Sequence, residues 1–254
     1  MAIKISDRLK KIADQVDYGA SIADIGTDHG LLPIFLLEEK KLRHAVLCDI
    51  NAGPLKKAER NTARHSPGAP VDFRLGSGLA VLADYEVDTV IIAGMGGRTI
   101  IGILDDDIPH ARTFGKYLFQ PRRDAALLRK WLLQNGFAII DEALVRESRF
   151  ICEIIAAVPN TSVATLEAYE NTDFEFSPLL IERCDMLLPE FVHTKLSTEK
   201  KALSAIEAAS TDNRLSPASA QRKEAILRRI RMMTDILERI GQISQEKQND
   251  KEAR

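Results

Sequence analysis

An apolar run at residues 20–25 leads directly into the segment DIGTDHG (24–30), which combines acidic side chains with glycines. A glycine turn between a strand and a helix brings backbone close to a nucleotide-type ligand, because no Cβ blocks the approach. Asp49 ends the next apolar run, about twenty residues on, where a carboxylate can accept hydrogen bonds from ribose hydroxyls. The turn and Asp49 together predict a nucleoside-cofactor site, although Asp49 alone is more often a solvated residue at a strand end.

The kind of nucleoside cofactor depends on Asp28, which occupies the second glycine position of the turn. Dinucleotide enzymes use G-x-G-x-x-G there, and a pyrophosphate rests on the following helix N-terminus. The charge of Asp28 would repel a pyrophosphate. S-adenosylmethionine has no phosphate and carries sulfonium and ammonium groups, so Asp24 and Asp28 favour it. Asp28 can also be a plain N-cap of the next helix, and the two roles are compatible.

Three further segments follow apolar runs and belong to the same edge of the predicted sheet, where open α/β folds bind their ligands. In GSGL (76–79), the Ser77 side chain can face an adenine ring. In AGMGG (93–97), the glycines around Met95 indicate close packing against the backbone rather than a merely flexible turn. The last segment, QPRR (120–123), offers polar and cationic groups to a phosphate or a base edge.

Apolar β-rich runs alternate with helical patterns over the first 160 residues, which is typical of a parallel sheet covered on both faces. The connection between the last two runs is too short for a helix, so they form a hairpin and the sheet is mixed at one edge. The predicted strands are residues 20–25, 44–50, 71–75, 87–94, 116–120, 137–145 and 150–158, and the helices are 6–16, 31–40, 54–65, 98–104 and 123–134.

Strand-like runs stop after Pro159, where we place the boundary between a catalytic domain (1–160) and a helical domain (161–254). Apolar residues then recur at spacings of three and four, which predicts two amphipathic helices. Turn-forming residues at 210–220 predict that the helices form an antiparallel, coiled-coil-like hairpin. The apolar positions are Leu180, Cys184, Leu187, Phe191, Ile226, Ile230, Met233, Leu237 and Ile240.

The net charge of -2 conceals an asymmetry. From Thr194 onward the chain has 13 Lys or Arg against 9 Asp or Glu, and the rest has 22 against 28. A basic tail is a weak indicator of a polyanionic partner, and solvated helix faces explain it equally well. The exposed cations are expected to be Arg222, Lys223, Arg228, Arg229 and Arg231.

Three widely spaced cysteines suggest neither a disulfide framework nor a zinc site, so no metal is predicted. The apolar stretches are too short to span a bilayer, and no apolar signal region follows the charged N-terminus. We therefore expect a soluble cytoplasmic protein without a membrane partner, as a monomer or weak dimer.

Several motifs together resemble the bacterial tRNA (adenine-22-N1)-methyltransferase family (TrmK). The pair formed by DIGTDH and AGMGG is specific, unlike a lone glycine-rich turn. The resemblance runs the length of the predicted sheet domain, and the helical tail agrees with it. The motifs are ISDRL (5–9), ADIGTDHGLLP (23–33), GSGL (76–79), IAGMGG (92–97), QP (120–121), RKWL (129–132) and CEI (152–154).

The resemblance implies a Rossmann-like class I methyltransferase sheet, S-adenosylmethionine as donor, and N1 of adenine 22 in tRNA as acceptor. The helical domain would aid tRNA binding. Asp28 would be the catalytic acid facing the target, and the substrate would contact Arg8, Gln120, Pro121 and Arg122. The implied cofactor-binding residues are Asp24, Gly26, Asp28, His29, Asp49, Ile50, Ser77, Gly78, Gly94, Met95 and Gly96.

Three positions depart from the family pattern: Leu32 replaces a frequent Tyr, Ser77 an Asp or Asn, and Arg122 an Asn. Loss of a rim aromatic removes a possible stacking platform, and Arg in place of Asn exchanges an amide for a fixed cation. These departures bear on the substrate base rather than on the cofactor. The alternatives are a methyltransferase for another RNA position or a small molecule, a non-catalytic homologue that binds cofactor and RNA, and a nicotinamide oxidoreductase, which Asp28 disfavours.

Overall fold

The computed structural model describes residues 3–39, 41–159, 166–208 and 216–252. They form two compact units, Met1–Phe176 and Ser177–Arg254. The first unit contains a seven-stranded sheet, and the second is helical. This confirms the predicted fold class. None of the described helices has the length and apolar composition needed to cross a membrane.

The sheet has the strand order β3-β2-β1-β4-β5-β7-β6. The first five strands are parallel, and β7 is antiparallel to both of its neighbours, which confirms a sheet mixed at one edge. The interior strand β1 is buried along its whole length, as expected where helices cover both faces. The strands are β1 (Ala20–Ile25), β2 (Leu42–Asp49), β3 (Val71–Leu75), β4 (Thr89–Met95), β5 (Lys116–Pro121), β6 (Phe137–Glu147) and β7 (Phe150–Pro159).

Each helix predicted in the first unit is present, and three short helical segments were missed. A 3-10 helix (Gly78–Val81) follows β3 and begins within the GSGL segment. Ser6 caps the first helix, because its Oγ accepts a hydrogen bond from the Leu9 N–H. The α-helices of the first unit are α1 (Asp7–Ala13), α2 (Leu31–Glu38), α3 (Ala52–His65), α4 (Gly97–Asp105), α5 (Ile108–Ala111), α6 (Ala125–Gln134) and α7 (Leu166–Glu170).

The strand order reverses between β1 and β4, which lie side by side. From β1 the chain crosses to β2 on one side of this pair, and β4 and β5 continue the sheet on the other. The loops that leave the carboxyl ends of β1 and β4 therefore diverge and open a crevice. In open α/β sheets such a crevice is where ligands bind.

The second unit consists of α8 (Pro178–Arg183), α9 (Leu188–Ala208) and α10 (Pro217–Glu252). The helix predicted through residues 180–191 is interrupted, because Cys184 has a left-handed backbone (φ 56°) and ends α8. The Asp185 carboxylate accepts a hydrogen bond from the backbone N–H of Leu187 at 2.8 Å, which stabilises the turn before α9.

Helices α9 and α10 pack against each other. Arg229 pairs with Glu199 and Lys223 pairs with Glu207, so residue numbers rise along one helix as they fall along the other. This confirms the antiparallel hairpin, although most of the predicted turn lies outside the described residues. The predicted seam residues that are buried are Leu180, Phe191, Ile226, Met233 and Ile240.

A buried ion-pair network joins α6 to the segment after the predicted domain boundary. Arg129 donates hydrogen bonds to Glu142 at 2.7 Å and Glu153 at 2.6 Å, and to the Phe174 carbonyl at 3.2 Å. The Tyr169 hydroxyl donates to Glu142 at 2.6 Å. Although burial favours the neutral form, the two carboxylates hold the pKa of Arg129 above its usual range. The network explains why the first unit continues to Phe176 rather than ending at residue 160.

Replacement of Arg129 tests this network. Arg129→Met leaves two carboxylates buried without their cation, so we expect the free energy of unfolding to fall by about 3–5 kcal/mol. Guanidinium denaturation followed by circular dichroism measures the change. The matched control is Arg43→Met, which removes an exposed partner of Asp88 and should change stability by less than about 1 kcal/mol. Equal effects of the two substitutions would contradict a structural role for the network.

Candidate functional site

A cavity of about 550 Å³ lies at the carboxyl edge of the sheet, in the crevice between β1 and β4. Its walls are the turn after β1, the end of β2, the GSGL and AGMGG segments, and side chains from α1 and from the loop after β5. The structure brings twelve of the predicted site residues into this wall. They are Arg8, Asp24, Gly26, Asp28, His29, Asp49, Ile50, Ser77, Gly78, Gly94, Met95 and Arg122.

The turn after β1 lies against the side chain of Met95, the last residue of β4. Gly26 has φ +77°, and a Cβ at this position would overlap the Cε atom of Met95. The backbone N–H groups of Gly26 and Thr27 donate to the Cys48 carbonyl at 2.9 and 3.0 Å, which ties the turn to β2. Glycine adopts this backbone angle without strain, whereas a residue with a Cβ would be strained and would have to displace the Met95 methyl group.

Asp24 stands at the base of the cavity and is only 7% exposed. Its carboxylate accepts a hydrogen bond from the Thr27 hydroxyl at 2.7 Å. Burial raises the pKa of Asp24 to about 6, the Thr27 hydrogen bond opposes this rise, and the nearby charge of Asp49 adds to it. A cationic ligand group beside Asp24 would favour its ionised form.

Asp49 is held in a fixed orientation at the end of β2. Its Oδ1 accepts a hydrogen bond from the Asn51 N–H at 2.8 Å, and its backbone carbonyl accepts one from Gly76 at 3.0 Å. The second bond ties β2 to the segment that carries Ser77. Beside it, burial raises the pKa of the Cys48 thiol to about 12, so this sulfur is neutral at physiological pH.

Asp28 lies at the open side of the cavity, where 69% of its side chain is exposed. Its Oδ2 is 3.5 Å from Nε2 of His29. The N-cap of α2 is Gly30, which has φ +68° and no side-chain cap. The alternative interpretation of Asp28 as a plain N-cap was therefore wrong, and its carboxylate is accessible to a ligand at the mouth.

Arg8 forms the wall opposite the carboxylates. Its Nε donates to Glu147 at 2.9 Å, and its Nη1 donates to the Gln120 side-chain oxygen at 2.9 Å. Burial works to raise the pKa of Glu147, but hydrogen bonds from Ser6 and Arg8 hold it below its usual value. Glu147 was missed by sequence reasoning, because only the folded chain brings the end of β6 to α1.

Three predicted site residues do not line the cavity. Gln120 is 2% exposed and lies behind Arg8, and Pro121 is buried beside it. Gly96 forms the N-cap of α4, and its carbonyl accepts hydrogen bonds from Thr99 and Ile100. Gln120 thus positions another side chain in this structure, because its position in β5 turns it into the core.

No group of three or more His, Cys, Asp or Glu side chains in the described part of the chain is arranged to hold a metal ion. Further cavity residues that sequence reasoning missed include Thr27 and Asn51. The Thr27 hydroxyl bonds to Asp24, three residues earlier, and this local capacity of threonine was the signal available in the sequence. Asn51 bonds to Asp49 through its backbone N–H, so its residue type gave no such signal.

The chain is similar in sequence and structure to known methyltransferases. The Bacillus subtilis tRNA (adenine(22)-N(1))-methyltransferase is 33% identical over 155 residues, which are 61% of this chain and 65% of that protein. The chain thus matches less than two thirds of the length of this curated relative.

Two solved structures are similar over most of the chain. The B. subtilis M1A22 tRNA methyltransferase TrmK is 25% identical with a TM-score of 0.82, over 92% of this chain and 99% of that one. The M. capricolum TrmK in complex with S-adenosyl-homocysteine is 25% identical with a TM-score of 0.76, over 93% and 99%.

These similarities confirm the resemblance drawn from the sequence motifs. Residues 5–155 match the family described as Methyltransferase domain. The matched region is more than half of the chain and contains every strand end that lines the cavity. The chain belongs to the methyltransferase-domain family.

Proposed function

We propose that the protein transfers a methyl group from S-adenosylmethionine to N1 of adenine 22 in tRNA. The observation that carries this proposal is the charge pattern of the cavity. The three acids, Asp24, Asp28 and Asp49, lie in or directly after β1 and β2. Arg8 bonds to Gln120 of β5 and Arg122 follows β5, on the other side of the β1–β4 pair in the strand order. This pattern complements a ligand that carries cationic groups and a carboxylate. The similarity to TrmK proteins supports the tRNA acceptor.

The residues present fit the cofactor. Asp49 would accept hydrogen bonds from the ribose hydroxyls, and Asp24 would bind the ammonium group, since burial makes the charge of its carboxylate unfavourable until a cation pairs with it. Ser77 and Ile50 would flank the adenine, and Gly26 leaves room for the ligand to approach the backbone. When bound, S-adenosylmethionine supplies a methyl group that its sulfonium activates for transfer.

Adenine N1, the acceptor atom, must be positioned by the enzyme but does not need a general base to activate it. Adenine N1 carries a lone pair at neutral pH, and holding it in line with the donor can lower the barrier by roughly 7–11 kcal/mol. Asp28, at the mouth of the cavity, would accept a hydrogen bond from the exocyclic amine. Its negative charge would also stabilise the positive charge that develops on the methylated base. Because N1 lies on the pairing edge, the base must leave its stack.

Exposed arginines near the cavity suit a polyanionic substrate. Arg98 and Arg123 are 77% and 83% exposed, and both lie 3.8–3.9 Å from the single carboxylate of Asp124. With Arg122, they give this edge of the sheet a surplus of positive charge that phosphates can neutralise.

The helical unit offers further cations that could aid tRNA binding, as proposed from the sequence. Arg222, Arg228 and Arg231 are exposed. Lys223 and Arg229 differ from them, because they pair with Glu207 and Glu199. Two of the five cations expected to be exposed are therefore paired with carboxylates and are less available to phosphates. We propose that the helices contribute to tRNA affinity and not to the chemistry, within a cytoplasmic enzyme.

A direct assay tests the acceptor. Purified protein incubated with total tRNA and S-adenosylmethionine carrying a labelled methyl group should label a subset of tRNAs. Nuclease digestion and mass spectrometry should then identify 1-methyladenosine at position 22. Transcripts in which adenine 22 is replaced by guanine serve as the matched control and should remain unlabelled. Labelling at another nucleotide would contradict the proposed site, and an unlabelled pool would contradict the activity.

Asp28→Asn tests the role of the acid at the mouth. Asn tolerates the positive φ of 47° and keeps the shape of the side chain, so the fold should be retained. Loss of the charge should lower kcat for tRNA methylation by about 10²- to 10³-fold, the effect of removing one preorganised electrostatic group. Calorimetry should show that S-adenosylhomocysteine still binds. Turnover equal to that of the wild-type protein would contradict the assignment.

The raised pKa of Asp24 predicts a pH-dependent affinity. A cationic ligand binds the ionised carboxylate, so affinity for S-adenosylhomocysteine should be full above pH 6 and fall by up to about tenfold per unit below it. In Asp24→Asn the affinity should be lower at pH 7.5 and should depend less on pH. Both proteins retain Asp28, His29 and Asp49, so the difference between their calorimetric profiles reports Asp24. Parallel profiles would contradict this role.

A further inference from the structure

The hairpin between β6 and β7 presents an aromatic ring to solvent. Phe150 is 60% exposed, although a phenyl ring is normally stabilised by burial. The hairpin turns sharply through Ser148, which has φ +56°. The guanidinium of Arg149 lies over the Phe150 ring, with its Cζ 4.9 Å from the ring centroid. One face of the ring is therefore covered by a planar cation, and the exposure shows that other parts of the ring remain accessible.

The position of this hairpin relates it to the cavity. Phe150 pairs directly with Glu147 across the hairpin, and directly opposed residues of an antiparallel pair point to the same face of the sheet. Glu147 reaches Arg8, which forms part of the cavity wall. The Phe150 ring thus lies on the same face as Arg8. Strand β7 begins at Phe150, five residues before Ile155, the first residue of β7 that pairs with β5. The hairpin therefore projects past the end of β5.

The surroundings favour a nucleic acid over an apolar partner. The apolar exposure at the tip is one ring rather than a contiguous patch, and protein docking sites usually present a patch. Arg149 and the cavity residue Arg122 add positive charge to the same unit. Aromatic rings and guanidinium planes are the groups on which proteins stack unpaired bases.

We propose that Phe150 and Arg149 form a stacking platform for an unstacked base of the RNA substrate at the mouth of the cavity. This inference rests on the proposed function. The target base must leave its stack to expose N1, which also disrupts the stacking of its neighbours. Stacking on the Phe150 ring would compensate a base for the stacking that it loses with its neighbour in the RNA. It supplies the rim aromatic that the Leu32 position does not provide, because Leu32 is an aliphatic residue that is only 3% exposed.

The experiment compares Phe150→Ala with Phe150→Trp. Loss of the ring should lower kcat/KM for tRNA by about 5- to 100-fold, the range for one stacked base, mainly through KM. Phe150→Trp keeps an aromatic plane and should restore most of the loss. Affinity for S-adenosylhomocysteine should be the same in all three proteins. The matched control is Tyr18→Ala, which removes an 82% exposed ring that precedes β1 at the opposite edge of the sheet.

Two results would overturn the platform. The first is a kcat/KM for Phe150→Ala that equals that of Tyr18→Ala. The second is a loss of S-adenosylhomocysteine affinity that accounts for the loss of activity, since that would indicate a damaged cavity. Fluorescence anisotropy of labelled tRNA, with the protein saturated with S-adenosylhomocysteine, measures the platform without turnover. If wild-type protein does not methylate tRNA, the proposed function fails, and weaker tRNA binding by Phe150→Ala alone still supports the platform.

Discussion

The left-handed backbone of Gly26 is the constraint on which the site depends. Strands β1 and β4 are neighbours, and Gly26, in the turn after β1, faces the side chain of Met95, the last residue of β4. Any other residue at position 26 would be strained at φ +77°, and its Cβ would also displace the Cε methyl group of Met95. The hydrogen bonds from Gly26 and Thr27 to the Cys48 carbonyl then fix this turn against β2, whose last residue is Asp49. The pairing of β1 with β2 and the turn at Gly26 together place Asp24 and Asp49 in the same cavity.

This arrangement makes the ligand-free site electrostatically unfavourable. The folded state binds the Asp24 proton more tightly than an unfolded chain, since its pKa rises from 3.8 to about 6. Stability without ligand is therefore reduced as the pH rises through that interval and stays reduced above it. A cationic ligand that pairs with Asp24 recovers this free energy. Selectivity for a cation over a pyrophosphate thus follows from the same burial that destabilises the empty cavity.

Much of the fold and the cofactor side of the site could be predicted from the sequence, because their signals are local. Seven apolar runs predict the sheet, and the short link between the last two predicts the hairpin. Gly26 and Asp49 are recognisable because backbone angle and strand-end chemistry act within a few residues of each position. The break at Cys184 was missed, since its apolar side chain continues the helical spacing while its backbone is left-handed.

The contacts that could not be predicted join residues far apart in sequence. The Arg8–Glu147 bond spans 139 positions, and Arg129 joins α6 to two strands and to the segment before Phe176. No local pattern marks these partners, which explains why the first unit extends past the predicted boundary to Phe176 and why Gln120 lies outside the cavity lining. Gln120 has the residue type of a base-binding group, but its side chain is turned toward Arg8.

Arg8 shows how these long-range contacts bear on the chemistry. Its Nε and Nη1 are occupied by Glu147 and Gln120, which fixes the guanidinium plane and leaves donors on Nη2 for a ligand in the cavity. A cation fixed by two partners loses little conformational entropy when it binds an anionic group. Because β6 carries Glu147 and its hairpin carries Phe150, one element both orients the cavity wall and presents the exposed ring. The β6–β7 hairpin therefore connects the cavity wall at Arg8 to the exposed surface from which an RNA would approach.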